Sequence, residues 1–171
     1  MRFGEAALAQ DAEWSALLRA AGERAPWLRR VAIPLARSGD AWIWFVAAGV
    51  MAAVGEAAIR RDMVFVALVI VATGLVVKLG KLGARRARPD GDWGGSYRRQ
   101  DPHAFPSGHA ARAAVLTVLG FALGPAWLGP LMTIWTVLVA VSRVVLGVHY
   151  VSDVVGGAVL GLVCGLVALT V

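Results

Sequence analysis

The sequence predicts an all-α integral membrane bundle of about five transmembrane helices, preceded by an amphipathic interfacial arm. Three observations carry this expectation. Hydrophobic residues fill 58% of the 171 positions, well above the norm for soluble domains. They gather into five runs, 41–59, 63–79, 110–123, 125–141 and 154–171, of 14 to 19 residues with few charges, close to the roughly 20 that cross a bilayer. The runs are built largely from Val, Leu, Ala and Gly, and the small residues among them let membrane helices approach closely. A soluble protein with five central helices would need far more polar covering than 16% charged residues supply.

Residues 1–40 form the arm. Within 5–20, EAALAQDAEWSALLRA, residues Ala7, Leu8, Trp14, Leu17 and Leu18 fall around one helical face, with the acids and Arg19 elsewhere. That pattern fits a helix lying in the membrane interface. The next stretch, PWLRRVAIPLARSG, carries Trp27, Arg29, Arg30 and Arg37 and belongs at headgroup level. A surface helix packed on the bundle is an equal reading of both.

The transmembrane domain follows over 41–171. A first helix spans 41–59, a tight turn falls at 60–62, and a second helix runs over 63–82. The loop RRARPDGDWGGSYRRQDPHAF, with its Gly, Asp, Pro89 and Pro102, is not a spanning element. A third helix starts near Ser107, the chain turns at Gly124 and Pro125, and a fourth returns to about Arg143. VLGVHYVS leads into the fifth. No internal repeat is evident.

This up-and-down winding brings Lys81, Arg88, Ser107, His109, Arg143, His149 and Asp153 to one membrane face, although they span 73 positions. Of the 17 basic residues only Arg60 and Arg61 fall on the far side. The positive-inside rule then makes the shared face cytoplasmic. The net charge of +6 fits membrane orientation plus an anionic ligand better than nucleic acid, since no aromatic and basic residues interleave as in single-strand binders. Cys164 is the single cysteine, so no intrachain disulfide forms. The first 25 residues lack the apolar core of a cleavable signal peptide.

Three segments carry chemistry. KLGARRARP supplies Lys81 and Arg88, PSGH covers 106–109, and SRVVLGVHYVSD runs from Ser142 and Arg143 through His149 to Asp153. Guanidinium forks match phosphate oxygens bidentately, and lysine adds a point charge. Ser107 is a favoured helix cap, free N–H groups at a helix start bind anions, and Gly108 lets backbone approach a phosphate. His149 and Asp153 are four residues apart, so on a helix they face each other and the carboxylate fixes the imidazole tautomer. Arg112 could reach a substrate phosphate or linker, or pair with Asp101. His103 suits the rim of the site. Arg85, Arg86, Arg98 and Arg99 read as headgroup or sidedness charges. Two histidines and an aspartate could also hold a metal, but the surrounding cations would repel one.

In order and internal spacing these segments resemble the tripartite signature of the type 2 phosphatidic acid phosphatase superfamily, which includes bacterial acid phosphatases and vanadium haloperoxidases. Every signature position is filled, over 81–153. The resemblance implies a lipid phosphate phosphatase of a bacterial cell membrane. In it His149 attacks phosphorus to form a phosphohistidine, Asp153 orients it, and His109 protonates the leaving alcohol and then activates water. Lys81, Arg88, Ser107, Gly108 and Arg143 would bind the phosphate, with Arg112 and Ser142 secondary, and with no cofactor and no metal. Membrane members commonly have six spanning helices, so this chain looks like a short form whose arm replaces one. The short form, arginine-rich arm and sidedness resemble an actinobacterial subgroup acting on decaprenylphosphoryl-5-phosphoribose. A catalytically silent lipid-binding scaffold is the alternative, and a soluble-type haloperoxidase a more distant one. The oligomeric state stays open, a homo-oligomer included.

Overall fold

The computed structural model of the chain describes residues 3–89 and 101–171, with side chains from residue 6 onward. Seven helices lie among the described residues: α1 (Phe3–Arg24), α2 (Pro26–Ser38), α3 (Ala41–Val54), α4 (Ala57–Ala84), α5 (Gly108–Leu123), α6 (Leu128–Val145) and α7 (Val151–Ala168). The five apolar helices read from the sequence are α3 to α7. By length and composition α4, α6 and α7 can each cross a membrane, while α3 and α5 are shorter apolar helices. Leu68, Leu75, Ile134, Val159 and Leu166 stand exposed on the outside of the bundle. Apolar side chains at that density on an outer surface are matched to lipid, not to water.

One boundary differs from the sequence reading. The chain turns at Gly55 and Glu56, and Arg60, Arg61 and Asp62 lie inside α4. Gly55 closes α3 by donating its N–H to the Met51 carbonyl, and glycine is a common helix stop. Glu56 precedes α4, its charge at the positive end of the helix dipole. Ala57 and Ala58 then favour helix over turn. The resulting 28-residue helix is about 42 Å long at 1.5 Å per residue. That exceeds a hydrocarbon core of about 30 Å, so Lys81 near its C-terminal end reaches headgroup level.

Helix α5 is the axis of the bundle. Ala110, Ala111, Ala114, Val115 and Leu119 are buried in it, and α4, α6 and α7 pack around it. The closest approach is to α7, where Gly157, Gly161 and Gly165 recur every four residues. A Cβ on Gly161 would stand 2.8 Å from the carbonyl carbon of Ala111, and one on Gly157 would stand 3.1 Å from the backbone nitrogen of Ser107. Glycines at this spacing allow two helix backbones to touch. The contact brings both helix N-termini together: Ser107 N–H donates to the Asp153 carbonyl at 2.9 Å.

The arm packs on this core, α1 against α6 and α7, and α2 against α6. Leu8, Trp14, Leu17 and Leu18 of α1 are exposed, whereas Asp11 and Ser15 are buried. The polar side of α1 faces the bundle and its apolar side faces outward. That is the reverse of a helix packed on the bundle through its apolar face. Helix α2 buries Ala32 and Ala36 against Val145, Leu146 and Val148. It ends in a turn at Ser38, Gly39 and Asp40. Two indoles pin the turn, Trp44 donating to the Ser38 carbonyl and Trp135 to Ser38 Oγ, both at 2.9 Å.

Candidate active site

A cavity of about 530 Å³ opens at the end of the bundle where α4 ends and α5 and α7 begin. His109, His149, Arg88 and Arg143 line it, with Ile70 and Val77 of α4 forming an apolar wall that Thr73 interrupts. Among the described residues, five cations, Lys78, Lys81, Arg88, Arg112 and Arg143, line the cavity against one carboxylate, Asp101. Lys81, Arg88 and Arg143 are themselves buried. Burying cations in this excess is costly unless an anion compensates them.

His149 lies in the link between α6 and α7. Gly147 takes φ +68°, a conformation open to glycine, and the chain then turns Val148 and His149 into the protein, where both are buried. Helix α7 begins only at Val151, so His149 and Asp153 do not meet through helical spacing. A capping turn brings them together instead. Asp153 accepts from Tyr150 N–H at 2.8 Å and returns its own N–H to the Tyr150 carbonyl at 3.1 Å, a reciprocal cap. This leaves Asp153 Oδ2 3.5 Å from His149 Nδ1, longer than a hydrogen bond.

The tautomer follows from the other ring nitrogen. Arg88 Nη1 lies 3.2 Å from His149 Nε2, and a guanidinium only donates. Nε2 therefore presents its lone pair, and Nδ1 carries the proton toward Asp153. Burial, reinforced by Arg143, Arg88 and Lys81, pushes the His149 pKa well below the ordinary histidine value. The ring is neutral at pH 7.

The cations arrive by a sharp reversal after α4. Arg85 caps the helix in the left-handed conformation, φ 47°. The segment beyond it runs antiparallel to 101–104, with Ala87 bridged to His103 and Ala104 N–H donating to the Arg86 carbonyl at 2.8 Å. Arg88 is held by the carbonyls of Asp101 and Val148, both at 2.8 Å. Asp101 Oδ2 spans Lys81 at 2.5 Å and Arg88 at 3.1 Å. His103 lines the rim as expected, and its carbonyl accepts from Lys81 at 2.8 Å.

Two sequence assignments change, those of Arg86 and Ser142, and of the two readings of Arg112 one drops out. Arg86, read as a headgroup charge, turns inward instead. It donates to Asp153 at 2.9 Å, Ser152 at 2.5 Å and Asp11 at 2.6 Å. Burial opposes ionisation of Asp11, but hydrogen bonds from Ser152 and Arg86 outweigh it and hold the carboxyl below its usual pKa. Ser142 does not line the cavity, because its hydroxyl donates back to the Val139 carbonyl at 2.7 Å. Arg112 does not pair with Asp101. It lines the cavity and donates to the Gly39 carbonyl of the arm. Arg85 stays exposed as expected, whereas Arg98 and Arg99 lie outside the described residues.

The PSGH segment divides its work. Gly108 and His109 line the cavity. Ser107 precedes α5 as expected, yet its side chain makes no cap bond. Its N–H is committed to Asp153, and its buried Oγ has no hydrogen-bond partner among the described residues. His109 Nε2 donates to Asp40 Oδ1 at 2.8 Å, and that bond leads the effects holding the Asp40 carboxyl below its usual pKa. Asp11 and Asp40 are the carboxylates the sequence reading missed. Asp40 carries a faint signal, an acid at the start of a helix on the shared face. Asp11 carries none, being one acid of several on an amphipathic helix.

A cationic, histidine-bearing pocket at one end of a helical membrane bundle agrees with the matching of residues 62–171 to the PAP2 superfamily. The chain belongs to that superfamily and is a multi-pass membrane protein. Among curated relatives, an undecaprenyl-diphosphatase of Sulfolobus acidocaldarius is 41% identical over 59 residues. That match covers 34% of this chain and 29% of the relative, under a third of its length. Among solved structures, a transmembrane PAP2-type phosphatidylglycerolphosphate phosphatase from Bacillus subtilis superposes with a TM-score of 0.81 at 26% identity, covering 96% of this chain and 85% of its own. LpxE of Aquifex aeolicus superposes at 0.75 with 22% identity, covering 93% and 94%, a likeness of fold.

Proposed function

We propose that the protein hydrolyses a lipid phosphomonoester or pyrophosphate through a phosphohistidine formed on His149. The observation that carries this reading is the placement of His149, buried with its Nε2 3.2 Å from Arg88 Nη1 at a cavity that Lys81, Arg88 and Arg143 line. Nε2 attacks phosphorus, the P–O bond to the lipid breaks, and the departing alkoxide takes a proton from His109. His109 then removes a proton from water, the water oxygen attacks phosphorus as the P–Nε2 bond breaks, and inorganic phosphate leaves with His149 restored. Arg88, Lys81 and Arg143 bind the phosphoryl oxygens, with Gly108 allowing close backbone approach and Ser107 Oγ supplying an uncommitted donor. Asp153 steadies the imidazolium character that develops on His149.

Net positive lining favours an anion and opposes a metal cation, so the reaction is read as metal-independent. The substrates named for the relatives, phosphatidylglycerolphosphate and undecaprenyl diphosphate, mark glycerolipid and polyprenyl phosphates as the classes to test. The apolar wall on α4 suits either chain, and decaprenylphosphoryl-5-phosphoribose belongs in the same panel. The arm would lie in the interface with the apolar side of α1 in lipid, and the site on the cytoplasmic face of a bacterial cell membrane.

Phosphate release from detergent-purified protein tests the reaction. Turnover should persist in EDTA and be blocked by vanadate, and His149→Ala should abolish both turnover and an acid-labile phosphoenzyme. Wild-type turnover by that variant would refute the mechanism. Absence of turnover on every lipid phosphate would favour a silent lipid-binding scaffold. Sidedness is read with a cysteine at Arg60 in a Cys164→Ala background. A membrane-impermeant maleimide should label it in intact cells, and failure there with labelling after lysis would reverse the orientation.

A further inference from the structure

We infer that Asp40, at the end of the arm, is a positioning residue for His109, so that the arm completes the active site. The inference rests on the phosphatase reading above and adds to it a residue outside the signature.

Three contacts converge on the Gly39–Asp40 turn. Asp40 Oδ1 accepts from His109 Nε2 at 2.8 Å. The Gly39 carbonyl accepts from Arg112, one turn further along α5. Gly39 itself packs close to His109 and Val139, where a Cβ would stand 3.1 Å from His109 Cδ2 and from Val139 Cγ1. A side chain there would press on the histidine ring or on Val139. The turn is also rigid, since Trp44 and Trp135 hold Ser38. A carboxylate on a pinned turn can fix a ring, whereas one on a loose loop cannot.

The geometry divides the two ring nitrogens. His109 lines the cavity and Asp40 does not. With Nε2–H engaged by Asp40, Nδ1 is the nitrogen left to exchange a proton with a leaving group or water. The carboxylate also favours the protonated ring needed to donate that proton. Arg112 on the same helix, Arg143 on α6 and His149 line the same cavity as His109. Among the described residues, Asp40 is the carboxylate bonded to this ring.

Asp40→Asn keeps the size of the side chain and removes its charge. Two probes separate the roles: dioleoyl phosphatidic acid in mixed micelles, with a poor alkoxide leaving group, and p-nitrophenyl phosphate, with a good one. Asp40→Asn should lower kcat on the lipid about 10- to 100-fold and leave nearly unchanged the initial burst of p-nitrophenol from the aryl phosphate, which reports phosphorylation of His149 alone. It should cost nothing further in a His109→Ala background. The pH limb that vanishes in His109→Ala should move to lower pH in Asp40→Asn, and Asp40→Glu should restore part of the rate. Equal losses on both probes that add to those of His109→Ala would make Asp40 a structural anchor and overturn the inference, as would wild-type kinetics in Asp40→Asn. If His149→Ala and His109→Ala both match wild type, the phosphatase reading has failed. If those two lose turnover while Asp40→Asn does not, the Asp40 assignment alone falls.

Discussion

Gly161→Ala tests whether the glycine stripe sets the site. The added Cβ would overlap the Ala111 carbonyl oxygen and stand 2.8 Å from its carbonyl carbon and 2.9 Å from its Cα. Ordinary carbon–carbon contact is about 3.5–4.0 Å, so α5 and α7 must separate by roughly 1 Å. The obstacle is backbone, which cannot swing aside as a long side chain can. Overpacking of this kind costs about 1–3 kcal/mol. Because α5 carries His109 and α7 carries Asp153 beside His149, the same shift misaligns the reacting groups, and misplacement by about 1 Å can cost about 100-fold in rate. The assay is kcat for phosphate release beside thermal unfolding in detergent. Gly49→Ala is the control, since a Cβ there meets nothing within 4 Å, and it should be neutral or slightly stabilising. A Gly161→Ala protein with wild-type kcat and melting temperature would refute the argument that close helix contact aligns the site.

The pH behaviour of His149 follows from its burial among cations. Its folded pKa lies below the unfolded value of about 6.5, so the unfolded chain takes up the proton first. Its contribution to stability is present above about pH 6.5 and declines as pH falls below that. On the proposed mechanism His149 should stay active as nucleophile through this window, so the acid limb of phosphoenzyme formation should fall well below pH 6.5; a limb at 6.5 would show an unperturbed ring. Arg86→Gln leaves Asp153 and Asp11 without the cation they share. Removing one partner of a buried ion pair costs about 3–5 kcal/mol, so melting temperature and turnover should fall together. An unchanged melting temperature would show that the network contributes little.

Much of this architecture is written locally. Five apolar runs announce five helices because lipid demands long uninterrupted segments, and the signature residues lie at helix ends that an up-and-down topology places on one face. What escaped was set by competition between local signals. Gly55 stops α3 before the charged residues at 60–62 do, because Ala57 and Ala58 propagate helix through them. Arg86 sits in a run of arginines whose members look alike, and the left-handed turn at Arg85 decides which of them points inward. Asp11 and Asp40 are far from the signature in sequence, and only the docking of the arm brings them to Arg86 and His109.

The cavity wall on α4 has a consequence for how such a protein meets its substrate. From Lys81 to Ile70 the lining descends eleven residues of helix, about 16 Å, roughly half the depth of a hydrocarbon core. A ligand seated along that wall need never leave the bilayer, and it arrives by sideways diffusion in a plane. What governs encounter is then the number of substrate molecules per lipid rather than per volume of water. Adding inert lipid at fixed total substrate would slow the reaction although nothing in solution had changed. The two products part at the same boundary, the alcohol staying dissolved in the membrane and the phosphate escaping into the aqueous phase.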